Sequence, residues 1–91
     1  MKKSNGKKYV IKDTITDSET GAVLIFFTGA DGYVYTEEDF FWCDGFKRRG
    51  NAIRHIKNTA SSYHYRPLSE DCMTYIEGDK WIHRCEVLTI E

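Results

Sequence analysis

Apolar and polar residues alternate along the first part of the chain, a period of two that is typical of β-strands. Tyr9, Ile11 and Ile15 fall on one face of a strand that begins at Tyr9, and lysine and threonine side chains fall on the other face. Turn-forming residues follow at positions 17–21. Residues 22–28 are apolar on both faces. We therefore expect them to form the central strand of the sheet, joined to the first strand by a hairpin.

The next two runs are rich in aromatic residues. Residues 33–36 combine tyrosine with valine and threonine, which predicts a third strand. Residues 40–42 follow an acidic triplet and could form either a strand or one helical turn capped by Thr36. The run is too short for periodicity to separate these two alternatives.

The spacing of apolar residues around Ile56 predicts the one helix of the chain. At 100° per residue, four residues fall within about 60° of Ile56: Ala52, Ile53, Ala60 and Tyr63. Extending the helix backward would place Arg49 at the centre of this apolar face, where an unpaired guanidinium is costly to bury. Gly50 as a breaker and Asn51 as an N-cap therefore predict a helix over residues 51–62.

The last third of the chain returns to strand patterns. Pro67 pushes Arg66 into an extended conformation, so no helix persists there, and we expect residues 68–71 to form a loop. Two strands, Cys72–Glu77 and Trp81–Ile90, follow on either side of a tight turn. On the longer strand, one face carries Ile82, Leu88 and Ile90 and the other carries Trp81, Cys85 and Val87. The predicted fold class is α+β, a small antiparallel sheet in the order β-β-β-α-β-β with one helix packed on one face.

Length and charge restrict the domain organisation and the partners. The 91 residues predict a single α+β domain over residues 9–91, preceded by a flexible basic arm at residues 1–8. Thirteen basic and fourteen acidic residues give a net charge of -1. The total charge therefore indicates no nucleic-acid or membrane partner, and only its local distribution can do so. No apolar run approaches the roughly 18 residues of a membrane span.

The cysteines and histidines offer little support for catalysis or metal binding. Three cysteines without a secretory signal predict reduced thiols and a cytoplasmic protein. His83 and Cys85 lie two apart on one strand face, but the chain has no C-x-x-C pair, so we expect neither a metal nor a cofactor. Cys43 would need a base such as His55 or His64, and no third residue orients such a pair. We therefore expect a protein that is not an enzyme.

The most specific chemical pattern is a run of basic residues at the predicted start of the helix. Its candidate anion-binding residues are Lys47, Arg48, Arg49, Asn51, Arg54 and Lys57. Because a helix N-terminus carries a partial positive charge, cations beside it favour a bound phosphate or carboxylate. The alternative is that Arg48, Arg49 and Lys47 are solvated or paired with Glu37, Glu38, Asp39 or Asp44. Such surface pairs stabilise a fold by only about 0–1 kcal/mol.

Two functions follow from these charges. The first is a small binding protein that docks nucleic acid or an acidic protein surface through the cationic helix N-terminus. The second is a protein–protein inhibitor or adaptor, such as a phage or mobile-element accessory protein that blocks a host protein. The second function would use an acidic and tyrosine-bearing surface that consists of Tyr33, Tyr35, Glu37, Glu38 and Asp39.

Overall fold

The computed structural model describes residues 8–40 and 43–90. Most of the predicted basic arm lies outside this part, as do Phe41 and Trp42, while Lys8 is the first residue of a strand. The strands are β1 (Lys8–Asp17), β2 (Val23–Thr28), β3 (Val34–Thr36), β4 (Tyr65–Ser69), β5 (Cys72–Glu77) and β6 (Trp81–Ile90), and the helix α1 (Arg49–Ala60) lies between β3 and β4.

All six strands form one antiparallel sheet in the order β3-β2-β1-β6-β5-β4. Two three-stranded meanders, β1-β2-β3 and β4-β5-β6, join through the ten-residue pairing of β1 with β6, which runs from Lys8 opposite Ile90 to Asp17 opposite Trp81. The domain is mostly β, with one helix on a six-stranded antiparallel sheet, which is compatible with the general α+β class predicted.

Helix α1 packs on one face of the sheet, which we call the inner face, and contacts β1, β5 and β6. The core lies between them, and its buried residues are Ile11, Phe46, Ala52, Ile56, Ala60, Met73, Tyr75 and Cys85. The pairing register places Asp13, His83 and Cys85 on this inner face as well. The opposite, outer face carries Val10, Lys12, Phe27, Ile76, Ile82 and Arg84.

The predicted strand order is wrong in two respects. Residues 65–69 form the additional strand β4, although the chain beyond Pro67 was expected to be a loop. Because β4 is an edge strand, a proline without an N–H is tolerated there. The second strand is not central, since β1 and β6 occupy the centre of the sheet. Phe27 of this strand is buried on the outer face, where its ring centroid lies 4.4 Å from that of Phe40, whereas Val23 and Leu24 are exposed.

The predicted helix boundaries are also wrong. Helix α1 begins at Arg49, with Arg48 as an N-cap that makes no side-chain capping bond, so Gly50 and Asn51 lie inside the first turn. The prediction assumed that a guanidinium at position 49 would lack a partner, but the structure supplies two carboxylates for it. The helix ends at Ala60, two residues before the expected boundary.

Residues 36–40 make a turn, and Asp44 lies in close contact with the loop between β2 and β3. The Thr36 hydroxyl accepts a hydrogen bond from the Asp39 N–H (3.4 Å), and the Phe40 N–H donates to the Glu37 carbonyl (3.4 Å), so this run leaves the strand conformation. The Ala30 N–H donates to the Asp44 carbonyl at 2.7 Å. Gly29 permits this approach, because a Cβ there would collide with the Asp44 carbonyl oxygen.

Candidate functional site

Arg49 is paired with carboxylates, but its partners are Glu70 and Asp71 rather than the residues expected from the sequence. Its guanidinium donates to Glu70 Oε2 at 2.9 Å and to Asp71 Oδ2 at 2.8 Å, so it ties the first residue of α1 to the loop between β4 and β5. The hydrogen bonds with Glu70 and then Asp71 raise the pKa of Arg49. The bond from Arg49, followed by that from Ser69, lowers the pKa of Asp71. Arg49 is therefore engaged by two neighbouring carboxylates and offsets one of their two negative charges.

Four of the remaining candidate residues form what we call the cationic surface: Lys47, Arg48, Arg54 and Lys57. All four side chains are exposed, and within residues 8–40 and 43–90 none of them pairs with a carboxylate. The first turn of α1 contains no acidic residue. The geometry therefore leaves a local excess of positive charge around the helix, although the chain as a whole is nearly neutral.

Asn51 is exposed but does not present its backbone to solvent. Its N–H donates to the Arg48 carbonyl at 3.1 Å, and the Ala52 N–H turns to the same oxygen at 3.4 Å. These two amides are therefore engaged within the helix start. The amides of Asn51 and Ala52 are therefore not available to an anion, and the exposed charged side chains are the groups that could contact one there.

A groove separates the second half of α1 from the edge strand β4. It has a volume of about 510 Å³, and its lining comprises Lys57 and Asn58 of α1, Ser61 just after the helix, Tyr65, Pro67 and Ser69 of β4, Glu70 of the following loop and Met73 of β5. Arg54 precedes Lys57 by three residues and Asn58 by four, which places it on the same side of the helix. The cationic surface thus continues into this groove.

The acidic and tyrosine-bearing surface lies at the other edge of the sheet. Tyr33 is 68% exposed just before the edge strand β3, and the acidic triplet after β3 is exposed throughout. The Tyr35 hydroxyl donates to Asp31 Oδ2 at 2.7 Å, and this hydrogen bond raises the pKa of Tyr35 to about 12. Tyr35 is therefore held by its own turn, and Tyr33 is the more accessible of the two rings.

The inner face holds a cluster that the sequence did not predict, formed by Asp13, Glu77 and His83. The buried His83 ring lies with Nδ1 3.0 and 3.1 Å from the two Asp13 carboxylate oxygens and with Nε2 2.7 Å from Glu77 Oε1. An imidazole can donate to carboxylates on both sides only when both of its nitrogens carry protons. The one sequence signal was the shared face of His83 and Cys85, and both prove to be buried there.

Three rings stand in parallel beside this cluster and form what we call the ring column: His83, Tyr75 and Tyr63. The centroids of His83 and Tyr75 are 4.5 Å apart with an angle of 7° between the planes. Those of Tyr75 and Tyr63 are 4.7 Å apart at 14°. Tyr75 is buried between the other two, and burial raises its pKa. Tyr63 ends the column and is 36% exposed.

An open depression lies on the part of the inner face that α1 leaves uncovered. It has a volume of about 480 Å³, and Ile15, Leu24, Trp81 and His83 contribute to its lining. The Lys80 ammonium lies 5.0 Å from the centre of the Trp81 ring and so occupies one side of that aromatic surface.

The described residues give no direct indication of a cofactor or a membrane segment. Within residues 8–40 and 43–90, no three His, Cys, Asp or Glu side chains come together as metal ligands would. Cys43, Cys72 and Cys85 form no disulfide. In the same part of the chain, α1 lacks the length and apolar character that crossing a bilayer requires. Comparison with protein-family models, curated proteins and solved structures gives no match.

Proposed function

We propose that this chain is a small non-enzymatic binding domain that docks an anionic partner, either nucleic acid or an acidic protein surface, through the cationic surface. The observation that carries the proposal is the presence of four exposed basic side chains around α1 without a carboxylate partner among the described residues. Exposed cations that make no internal pair attract anions from solution and raise the rate of encounter with them.

The ion pairs of Arg49 also support this proposal, because they reduce the negative charge beside the groove. Without them, the Glu70 and Asp71 carboxylates would repel an anion that approaches the groove beside α1. Because Arg49 contacts both at 2.9 and 2.8 Å, its single positive charge offsets one of their two negative charges and weakens this repulsion. Arg49 therefore contributes by positioning and neutralisation rather than by direct contact.

Binding to labelled single-stranded DNA, RNA, duplex DNA and an acidic peptide, measured by fluorescence anisotropy over a range of salt concentrations, tests the proposal. For a single strand, the log–log slope should be about 0.7 per phosphate contacted. Arg48→Glu combined with Arg54→Glu should weaken binding roughly tenfold or more. Arg66→Glu combined with Arg84→Glu is the matched control, since it makes the same change in charge on the outer face.

Two results would overturn the proposal. One is the absence of binding to all four ligands at low salt. The other is an equal loss of affinity in both double variants, which would show that total charge rather than the cationic surface governs binding. Circular dichroism of each variant establishes that the fold is retained.

A second candidate function, an inhibitor or adaptor that blocks a larger protein, is favoured by the exposed β3 edge. Tyr33 and Val34 are 68% and 61% exposed at this edge, next to the acidic triplet Glu37, Glu38 and Asp39. A phage or mobile-element origin would suit such a protein. In a pull-down from source-cell lysate, this function requires a protein that remains bound after nuclease treatment and is lost with Glu37→Lys and Glu38→Lys. Retention of that protein by the variant would exclude the acidic surface.

A further inference from the structure

The ring column ends in a surface that can continue the stack. Tyr75 has His83 against one face and Tyr63 against the other, so the column runs from the centre of the sheet towards the β4 edge. Among residues 8–40 and 43–90, no ring other than Tyr75 stacks on Tyr63, and Tyr63 is 36% exposed. A planar ligand that stacks there would add a fourth ring to an ordered column.

A second tyrosine and two cations lie close to this surface. Tyr65 is 49% exposed on β4 and lines the groove beside α1 together with Lys57. Arg54 lies one turn earlier on the same side of the helix. The groove lining itself therefore holds one ring and one cation, Tyr65 and Lys57, together with the Glu70 carboxylate that Arg49 pairs. Tyr63 and Arg54 lie next to it, two residues before Tyr65 and one helical turn before Lys57. Aromatic rings combined with cations bind single-stranded nucleic acid without strong sequence preference.

We propose that Tyr63 and Tyr65 form a stacking site for bases of single-stranded nucleic acid, while Lys57 and Arg54 contact the adjoining phosphates. This inference rests on the proposed function and narrows its partner to single strands. Bases in a duplex remain stacked on one another, so their faces are not available to the tyrosines. An acidic protein surface would use the cations but would gain little from the ring column.

The roles of the two tyrosines differ in a way that the experiment can use. Tyr63 contacts the buried Tyr75, so its replacement could also loosen the core. Tyr65 is exposed at the sheet edge, and its replacement should leave the core intact. Phenylalanine at either position keeps the ring and removes only the hydroxyl, which makes it the matched control.

Titration of the whole chain with a fluorescein-labelled ten-nucleotide oligo(dT) tests the site. Tyr65→Leu and Tyr63→Leu should each weaken binding by about 5- to 150-fold, as expected for the loss of stacking on one base. Tyr65→Phe and Tyr63→Phe should bind within about threefold of the parent chain. The ring resonances of Tyr63 and Tyr65 should shift upfield on addition of oligo(dT) in the parent chain, since a stacked base shields them.

Three outcomes separate this inference from the proposed function. If the leucine variants bind oligo(dT) as the parent does while Arg48→Glu with Arg54→Glu loses binding, the stacking site is refuted and the cationic surface stands. Binding of the acidic peptide or duplex DNA but not of oligo(dT) also refutes the stacking site alone. If none of the anionic ligands binds, both proposals fail.

Discussion

His83 contacts two carboxylates that differ in exposure, Asp13 and Glu77. Replacing each of them by alanine shows how much each contact stabilises the fold. The Asp13 side chain is 19% exposed, whereas that of Glu77 is 49% exposed. A hydrogen bond that involves a charged group and is shielded from water stabilises a fold by about 1.5–3 kcal/mol. An exposed ion pair contributes only about 0–1 kcal/mol.

The two substitutions should therefore have unequal effects. Asp13→Ala should lower the free energy of unfolding by about 1.5–3 kcal/mol, which for a domain of this size is a fall in Tm of roughly 6–24 °C. Glu77→Ala should lower it by at most about 1 kcal/mol. Bond length alone predicts the opposite order, because the contact with Glu77 is the shorter one, 2.7 Å against 3.0 Å.

Urea unfolding followed by far-UV circular dichroism measures both effects. The comparison holds when the m value, the slope of the free energy of unfolding against urea concentration, is the same in the variants and the parent chain. Glu86→Ala is a suitable control, because it removes a carboxylate from β6 on the outer face, where the pair with Arg84 is 3.4 Å long. The reasoning is refuted if Glu77→Ala costs as much as Asp13→Ala. It is equally refuted if Asp13→Ala costs no more than Glu86→Ala.

Two further predictions concern the helix start and the response to acid. Gly50→Ala should raise the free energy of unfolding by about 0.5–1 kcal/mol, because the added methyl group meets open space within a helix. Gly29→Ala should lower the free energy of unfolding by about 1–3 kcal/mol, because the added methyl group collides with the Asp44 carbonyl. Urea unfolding measures both, and destabilisation by Gly50→Ala would contradict the helix start at Arg49. The lowered pKa of Asp71 means that the folded chain binds fewer protons there, so its stabilisation is present above the ordinary pKa of 3.8 and is lost as pH falls further. Asp71→Asn should flatten the fall of Tm below about pH 4, and an unchanged curve would refute this assignment.

The features that could be predicted from the sequence are those that depend on near neighbours. The alternation with a period of two correctly predicted which residues lie on each face of β6. Ile82 and Cys85, for example, are three residues apart and therefore lie on opposite faces. The apolar face of the helix around Ile56 was also confirmed, since Ala52, Ile56 and Ala60 are buried. In each case the geometry of a single element determines the result.

The features that the sequence did not reveal depend on residues far apart in the chain. The carboxylate that holds His83 is 70 residues away at position 13, and the partners of Arg49 lie 21 and 22 residues away. Because no local pattern connects such positions, the sequence indicates neither partner of the guanidinium and predicts a helix start two residues after the observed one. The sequence does not predict the candidate stacking site for a similar reason. Tyr63 and Tyr75 come into contact only when β4 pairs with β5.

The central pairing of β1 with β6 also determines when the fold can be completed during synthesis. The β1–β2 hairpin can form early, but one edge of β1 stays open until β6 has left the ribosome about 70 residues later. Contacts of such long sequence separation slow folding, because the entropy of closing the intervening loop is lost before the contact is made. An open strand edge can meanwhile pair with another chain. The nascent domain is therefore most exposed to self-association in the interval before its last long strand emerges.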